Sequence, residues 1–297
     1  MQGTPLGEAR RLRYFSIICY YLKDKKEVDD VFFTEFLLKK LGSFNIKLEK
    51  FKRTTGPMRT PAVIRNYISY SKWINLLKKE GHILVPNGYT IYFASIFNSN
   101  SFELTTKEKL SYFIFFLKIP SFKKFLCNLK NKSTAKDYFY LDYDEHMAET
   151  YLEWCVDLDI MTTYSKKFGK FYLNSKFLNF SYLCQDIFPE EVIIQKYASL
   201  ILNQEIQISS NISNEVLWNN GMISLNKTMA YTKSELDEKL HSALPMIFDL
   251  QIEIIIKYNR IIPLKELINR MEVFSRNNNT EFKWDFLLDG GFIKLGG

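Results

Sequence analysis

The feature that most constrains this chain is a short string met three times. Leu-x3-Gly-x-Ile occurs at 77-LKKEGHI-83, 217-LWNNGMI-223 and 287-LLDGGFI-293. At the first occurrence Gly81 follows Lys78, Lys79 and Glu80, the end of an amphipathic stretch, and precedes an apolar run. Glycine enters the left-handed backbone region with no Cβ penalty, so the string predicts a helix that stops and a strand that starts at once. The runs 83-ILV-85 and 89-YTIYF-93 flank Pro86, Asn87 and Gly88, a hairpin signal. Asp159 stands in the same place between 143-YDEHMAETYLEWCVDL-158 and 160-IMTTY-164. The stops at 81, 159, 221 and 291 are then roughly one small helical module apart, which predicts repetition of one unit. The alternative is that the string marks any helix-to-strand junction.

Before the first hairpin, 10-RRLRYFSIICYYLK-23 and 34-TEFLLKKLG-42 read as helices, the second stopped by Gly42. A third helix spans about 60–80, with Val63, Tyr67, Tyr70, Ile74 and Leu77 on one apolar face. Three helices and a hairpin, with the glycine stop, resemble the winged-helix fold, a variant of the helix-turn-helix. The next segment repeats the order. Thr105 and Glu108 form a capping box opening 108–118, helices follow at 121–132 and 143–158, and 160–164 pairs with 170–174. Further on, 189–204 begins with proline and acids, and 213–220 leads to Gly221 and a hairpin of 222–226 with 228–232. Then come 234–259, bent near Pro245, and 263–276. Last, 281–289 is stopped by Gly290 and Gly291 before a strand at 292–295. The expected fold is mainly α with short β-hairpins, as tandem winged-helix-like modules. They are a basic module at 1–100, a second at 101–180 with an acidic third helix, and a helical region at 181–297 that is one domain or two degenerate modules.

Charge separates these regions. Residues 1–100 hold 17 Lys/Arg against 8 Asp/Glu, residues 101–180 hold 12 against 10, and residues 181–297 hold 11 against 15. A polyanion would meet the first region and be repelled by the last. On the third helix of the first module, Arg65, Ser69 and Lys72 lie on the stripe opposite the apolar face, preceded by a loop with Lys52, Arg53 and Arg59. Long cations with hydroxyl and amide groups are what phosphate and base-edge contacts require, so these six are the candidate nucleic-acid residues. Arg10, Arg11 and Arg13 would join the same patch. A solvated helix face is the bland alternative. The third helix of the second module carries Glu145, Glu149 and Glu153, which would repel a phosphate backbone and are assigned instead to a protein-partner surface.

Enzyme chemistry finds little support. The chain has no phosphate-binding loop, no G-x-S-x-G and no H-E-x-x-H. Its four cysteines are far apart, which suits small buried hydrophobes in a reducing compartment. Asp142, Asp144, Glu145, His146 and Glu149 would suit a hard metal ion only if they came from separate elements, and their spacing is that of an ordinary exposed helix. Asp249, Glu253 and Lys257 have the spacing of a helical ion pair. No catalytic residue, metal or cofactor is expected. The apolar runs fall short of the ~20 residues of a membrane span, so a cytoplasmic protein is expected. The runs 111-SYFIFFLKI-119 and 252-IEIIIKYNRII-262 are either buried between modules or docking faces.

These readings lead to an expected non-enzymatic accessory subunit of a DNA-acting complex in genome maintenance or phage defence. It would touch double-stranded DNA with its first module and one or more protein subunits with the later ones. Tandem winged-helix proteins that accompany SMC-type ATPases look similar in outline, as do DNA-recognition regions of some restriction systems. That makes an SMC-like ATPase or a nuclease the expected kind of partner. The alternatives are a stand-alone sequence-specific regulator, a scaffold without DNA contact and a divergent metal nuclease.

Overall fold

A computed structural model describes residues 9–48, 60–99, 101–165, 169–185, 188–209, 212–213, 247–277, 281–285 and 292–296. It is mainly helical with small sheets. The first unit runs α1 (Leu12–Leu22), β1 (Val28–Asp29), α2 (Asp30–Leu48), α3 (Pro61–Trp73), β2 (Leu77–Glu80), β3 (Ile83–Pro86) and α4 (Gly88–Ser95). The second follows with α5 (Thr106–Leu117), α6 (Pro120–Cys127), β4 (Lys132–Ser133), a 3-10 turn Ala135–Leu141, α7 (Glu145–Asp157), β5 (Met161–Ser165) and β6 (Lys170–Leu173). In each unit a two-residue strand pairs antiparallel with the last strand of the hairpin, giving the orders β1-β3-β2 and β4-β6-β5.

The repeated device differs from the string that suggested it. Helix α3 ends at Trp73, where Asn75 takes a left-handed conformation (φ 63°) and the Leu76 N–H returns to the Ser71 carbonyl at 2.7 Å. Helix α7 ends in the same way, with Asp159 left-handed (φ 60°) and the Ile160 N–H on the Cys155 carbonyl at 2.8 Å. Asn and Asp tolerate this conformation because their short side chains bond locally. Asn75 is therefore the counterpart of Asp159. Gly81, expected as the helix stop, is the hairpin turn between β2 and β3 (φ 58°) and matches Gly169 (φ 54°). After each hairpin an asparagine ties back to the left-handed residue. The Asn87 Nδ2 donates to the Asn75 carbonyl at 2.9 Å and the Asn174 Nδ2 to the Asp159 carbonyl at 3.2 Å.

Three expectations fail here. The run 89–93 is not a strand but lies in α4, because the Asn87 side chain accepts from the Thr90 N–H while the Thr90 hydroxyl accepts from the Asn87 N–H, a capping box. Gly42 does not end α2, which runs to Leu48. Glu281–Asp285 is a strand, β9, rather than part of a helix. The Thr105–Glu108 capping box forms as read.

Beyond the second unit lie a short α8 (Phe180–Leu183), α9 (Glu190–Leu202), β7 (Gln207–Ile208), α10 (Ile247–Tyr258), β8 (Arg260–Ile261), α11 (Leu264–Asn277), β9 and β10 (Phe292–Gly296). Strands β7 and β8 pair in parallel and β9 pairs antiparallel with β10. Residues 214–246, with Gly221, the expected hairpin after it and Pro245, fall outside the described residues, as do Gly290 and Gly291.

One contiguous hydrophobic cluster reaches from Ala9 to Ile261 and crosses both expected module boundaries. Helix α5 is its axis. Tyr112 stacks on Phe93 of the first unit (4.3 Å between ring centres), Phe116 on Trp154 of the second (4.4 Å) and Phe113 on Tyr197 of α9 (3.8 Å). Such stacks add to large buried area and fix helix orientation. The two apolar runs are thereby accounted for: residues 110–117 and Ile252, Ile254, Ile255, Ile261 and Ile262 are buried within the chain. The cysteines are free, with Cys19, Cys155 and Cys184 buried.

Candidate nucleic-acid interface

Helix α3 opens on Thr60, whose hydroxyl accepts from the Val63 N–H at 3.3 Å, with Pro61 in the first turn. Its inward face is Ile64, Tyr67, Ile68, Tyr70 and Ser71. Arg65 and Ser69 are exposed and Lys72 half-buried, so the predicted outward stripe forms. Lys52, Arg53 and Arg59 lie outside the described residues. On the adjoining hairpin His82 is exposed at the turn, while Lys79 is bound to Asp30. Burial pulls the Asp30 carboxyl up, but the hydrogen bond and charge of Lys79, with His82, outweigh it and leave Asp30 below its usual range.

The N-terminal arginines do not join this stripe. Arg11 bridges Asp157 at 2.6 Å, and the same carboxylate accepts from the Leu12 N–H at 2.8 Å, at the start of α1. Arg10 bridges Glu149 at 2.6 Å. Arg13, 1 % exposed, bridges Glu108 at 2.5 Å and donates to the carbonyls of Phe102 and Glu103. The Glu108 of the capping box thus also neutralises a buried guanidinium. The Trp154 indole N–H donates to the Ala9 carbonyl at 2.8 Å, completing a clasp between the start of the chain and α7.

The acidic stripe of α7 needs the matching correction. Glu145 is exposed, but Glu149 is engaged by Arg10 and Glu153 is 5 % exposed, so the three do not make an open partner surface. Burial first, then the charge of Asp157, pushes the Glu153 carboxyl up to about 7 against the pull of Arg11 and Arg10. Asp144 is the N-cap of α7, accepting from the Met147 N–H at 2.7 Å. Among the described residues no group of three or more His, Cys, Asp or Glu side chains is placed to hold a metal ion. Glu253 pairs with Lys257 at 2.9 Å in helical spacing and also with Lys107 of α5 at 2.5 Å. Among the same residues no helix is long and apolar enough to cross a membrane.

Sequence averaging concealed one feature. Residues 118–136 and 160–185 carry ten lysines and no acid, whereas 137–159 carries eight acids and no Lys or Arg. The signal was present and needed only windows shorter than a module.

No family model matches the chain, and neither the curated proteins nor the solved structures offer a match.

Proposed function

We propose that the chain is a non-enzymatic, DNA-contacting accessory subunit built on two winged-helix-like units, the first of which meets the duplex through α3. The observation that carries this reading is the stripe of Arg65, Ser69 and Lys72, open on the side of α3 away from the core. Helix α3 is the third helix of its unit, the one that enters the major groove in helix-turn-helix proteins. The element order and the central position of β3 in its sheet support the winged-helix reading, and α6, β4, the 3-10 turn, α7, β5 and β6 repeat the order. A role within a larger complex of genome maintenance or phage defence, beside an SMC-like ATPase or a nuclease, remains part of the proposal. Its protein-docking surface lies elsewhere than α7.

The test is duplex binding by the full chain and by an Arg65→Glu, Lys72→Glu variant, at low and physiological salt. Each phosphate contact contributes about 0.9 to the logarithmic salt slope on duplex DNA. The variant is expected to lose most of its affinity and up to about 2 of that slope. Unchanged affinity and slope overturn the reading.

A further inference from the structure

The strongest unassigned surface is the outer face of the second sheet. Strand register places Lys132, Tyr172 and Thr162 side by side across β4, β6 and β5. In the next row Ser133 and Phe171 point into the core, so the first row faces outward. Lys132 and Thr162 are exposed and Tyr172 is half-buried. The Lys132 ammonium stands 5.7 Å from the centre of the Tyr172 ring. Two residues before it, Lys130 stands 5.5 Å from the centre of the Tyr140 ring, and the Tyr140 hydroxyl donates to Asn128 Oδ1 at 3.1 Å. Tyr140 is 59 % exposed and Phe139, on the same 3-10 turn, 43 %. Lys136 on that turn is exposed too.

Three acids of the second unit are answered by cations outside this patch. Glu149 and Asp157 are answered by Arg10 and Arg11, and Asp159 by Lys109 at 2.5 Å. Asp137 accepts the Thr134 N–H at 2.7 Å in a capping box and lies 3.8 Å from Lys130.

We propose that this face binds single-stranded nucleic acid, with Lys130, Lys132 and Lys136 on the phosphates and Tyr140 stacking on a base. Lysines track a phosphodiester backbone of either kind, but an open aromatic ring adds affinity only where bases are unpaired and offer their faces. A duplex hides those faces, which makes exposed Tyr140 beside two lysine–tyrosine pairs the deciding feature. The inference does not rest on the α3 reading. The two surfaces fail or stand separately.

The experiment is fluorescence anisotropy of the full chain with a labelled oligothymidylate strand, a duplex of equal length, and poly-L-glutamate as competitor. Lys130→Glu with Lys132→Glu is expected to weaken strand binding more than tenfold and to lower its salt slope by about 1.4, since each single-strand phosphate contact contributes about 0.7. Tyr140→Ala is expected to weaken strand binding by roughly five- to a hundredfold and to leave duplex binding unchanged. Arg65→Glu with Lys72→Glu should leave strand binding intact, whatever it does to the duplex. All five positions are exposed or half-buried, and an unchanged melting temperature checks the fold. The proposal is overturned if the strand does not bind at low salt, or if Tyr140→Ala weakens strand and duplex equally. Poly-L-glutamate displacing the strand while Tyr140→Ala has no effect also overturns it, in favour of an acidic polypeptide.

Discussion

Helices α3 and α7 hold the same place in two copies of one element order, and each carries a charged stripe. The stripe of α3 stands open. That of α7 is turned toward the start of the chain, where Arg10 and Arg11 occupy it across 139 and 146 residues of sequence. A charged helix face is a solvated or ligand-binding surface only when no complementary face elsewhere in the chain claims it. Local spacing describes the stripe, and distant residues decide its role.

Five substitutions break or sharpen that contrast. The largest effect is expected for Asp157→Ala, which strands the buried Arg11 and the Leu12 N–H. Removing one partner of a buried pair costs about 3–5 kcal/mol, readable by urea denaturation. A loss below ~1 kcal/mol would mean that α7 does not hold the N-terminal helix. Next is Glu153. Its folded carboxyl titrates near 7, above its ordinary value of 4.5, so the folded chain binds that proton more tightly. The resulting stability is complete below about 4.5 and disappears as pH rises through about 7. Glu153→Gln should flatten the pH dependence in that window and stabilise the chain by about 1–3 kcal/mol at alkaline pH. Stability curves at several pH values that superimpose for both proteins would refute it.

Smaller effects follow at the asparagines. Asn87→Ala should cost about 1 kcal/mol through its lost capping box. Asn174→Ala, at a more exposed site, should cost less. Equal costs would remove that ranking. The smallest is Arg65→Ala, expected to change stability by under ~0.5 kcal/mol while weakening duplex binding. A larger stability loss would show that α3's stripe, like α7's, has an internal partner.

Much of the local fold was legible. The capping box at Thr105, the hairpin of β5 and β6, and helices α1, α7 and α9 were read to within a few residues, because caps and hydrophobic period are local signals. The errors share a cause. Lys78-Lys79-Glu80 favours a helix and Tyr89-Thr-Ile-Tyr-Phe93 a strand, yet pairing to Ile83–Pro86 and the cap at Asn87 reverse both. The alternation of Phe282 and Trp284 was a strand signal left unused. Of the candidate site, the open stripe of α3 was legible from period alone. The clasp was not, since nothing in 10-RRLR-13 names Glu149, Asp157 or Glu108 as partners. A complementary run of three arginine positions and a four-residue acidic period was the only hint.

The clasp also sets a timetable. Helix α1 leaves the ribosome before α7, and Trp154 and Asp157 emerge about 140 residues after it. At about 5–20 residues per second that is a wait of roughly seven to thirty seconds. Throughout it Phe15, Ile18 and Leu22 have no finished core to enter and two arginines no carboxylate to meet. Nascent chains arrested before residue 154 should therefore recruit chaperones through α1, and those arrested well beyond 157 should release them.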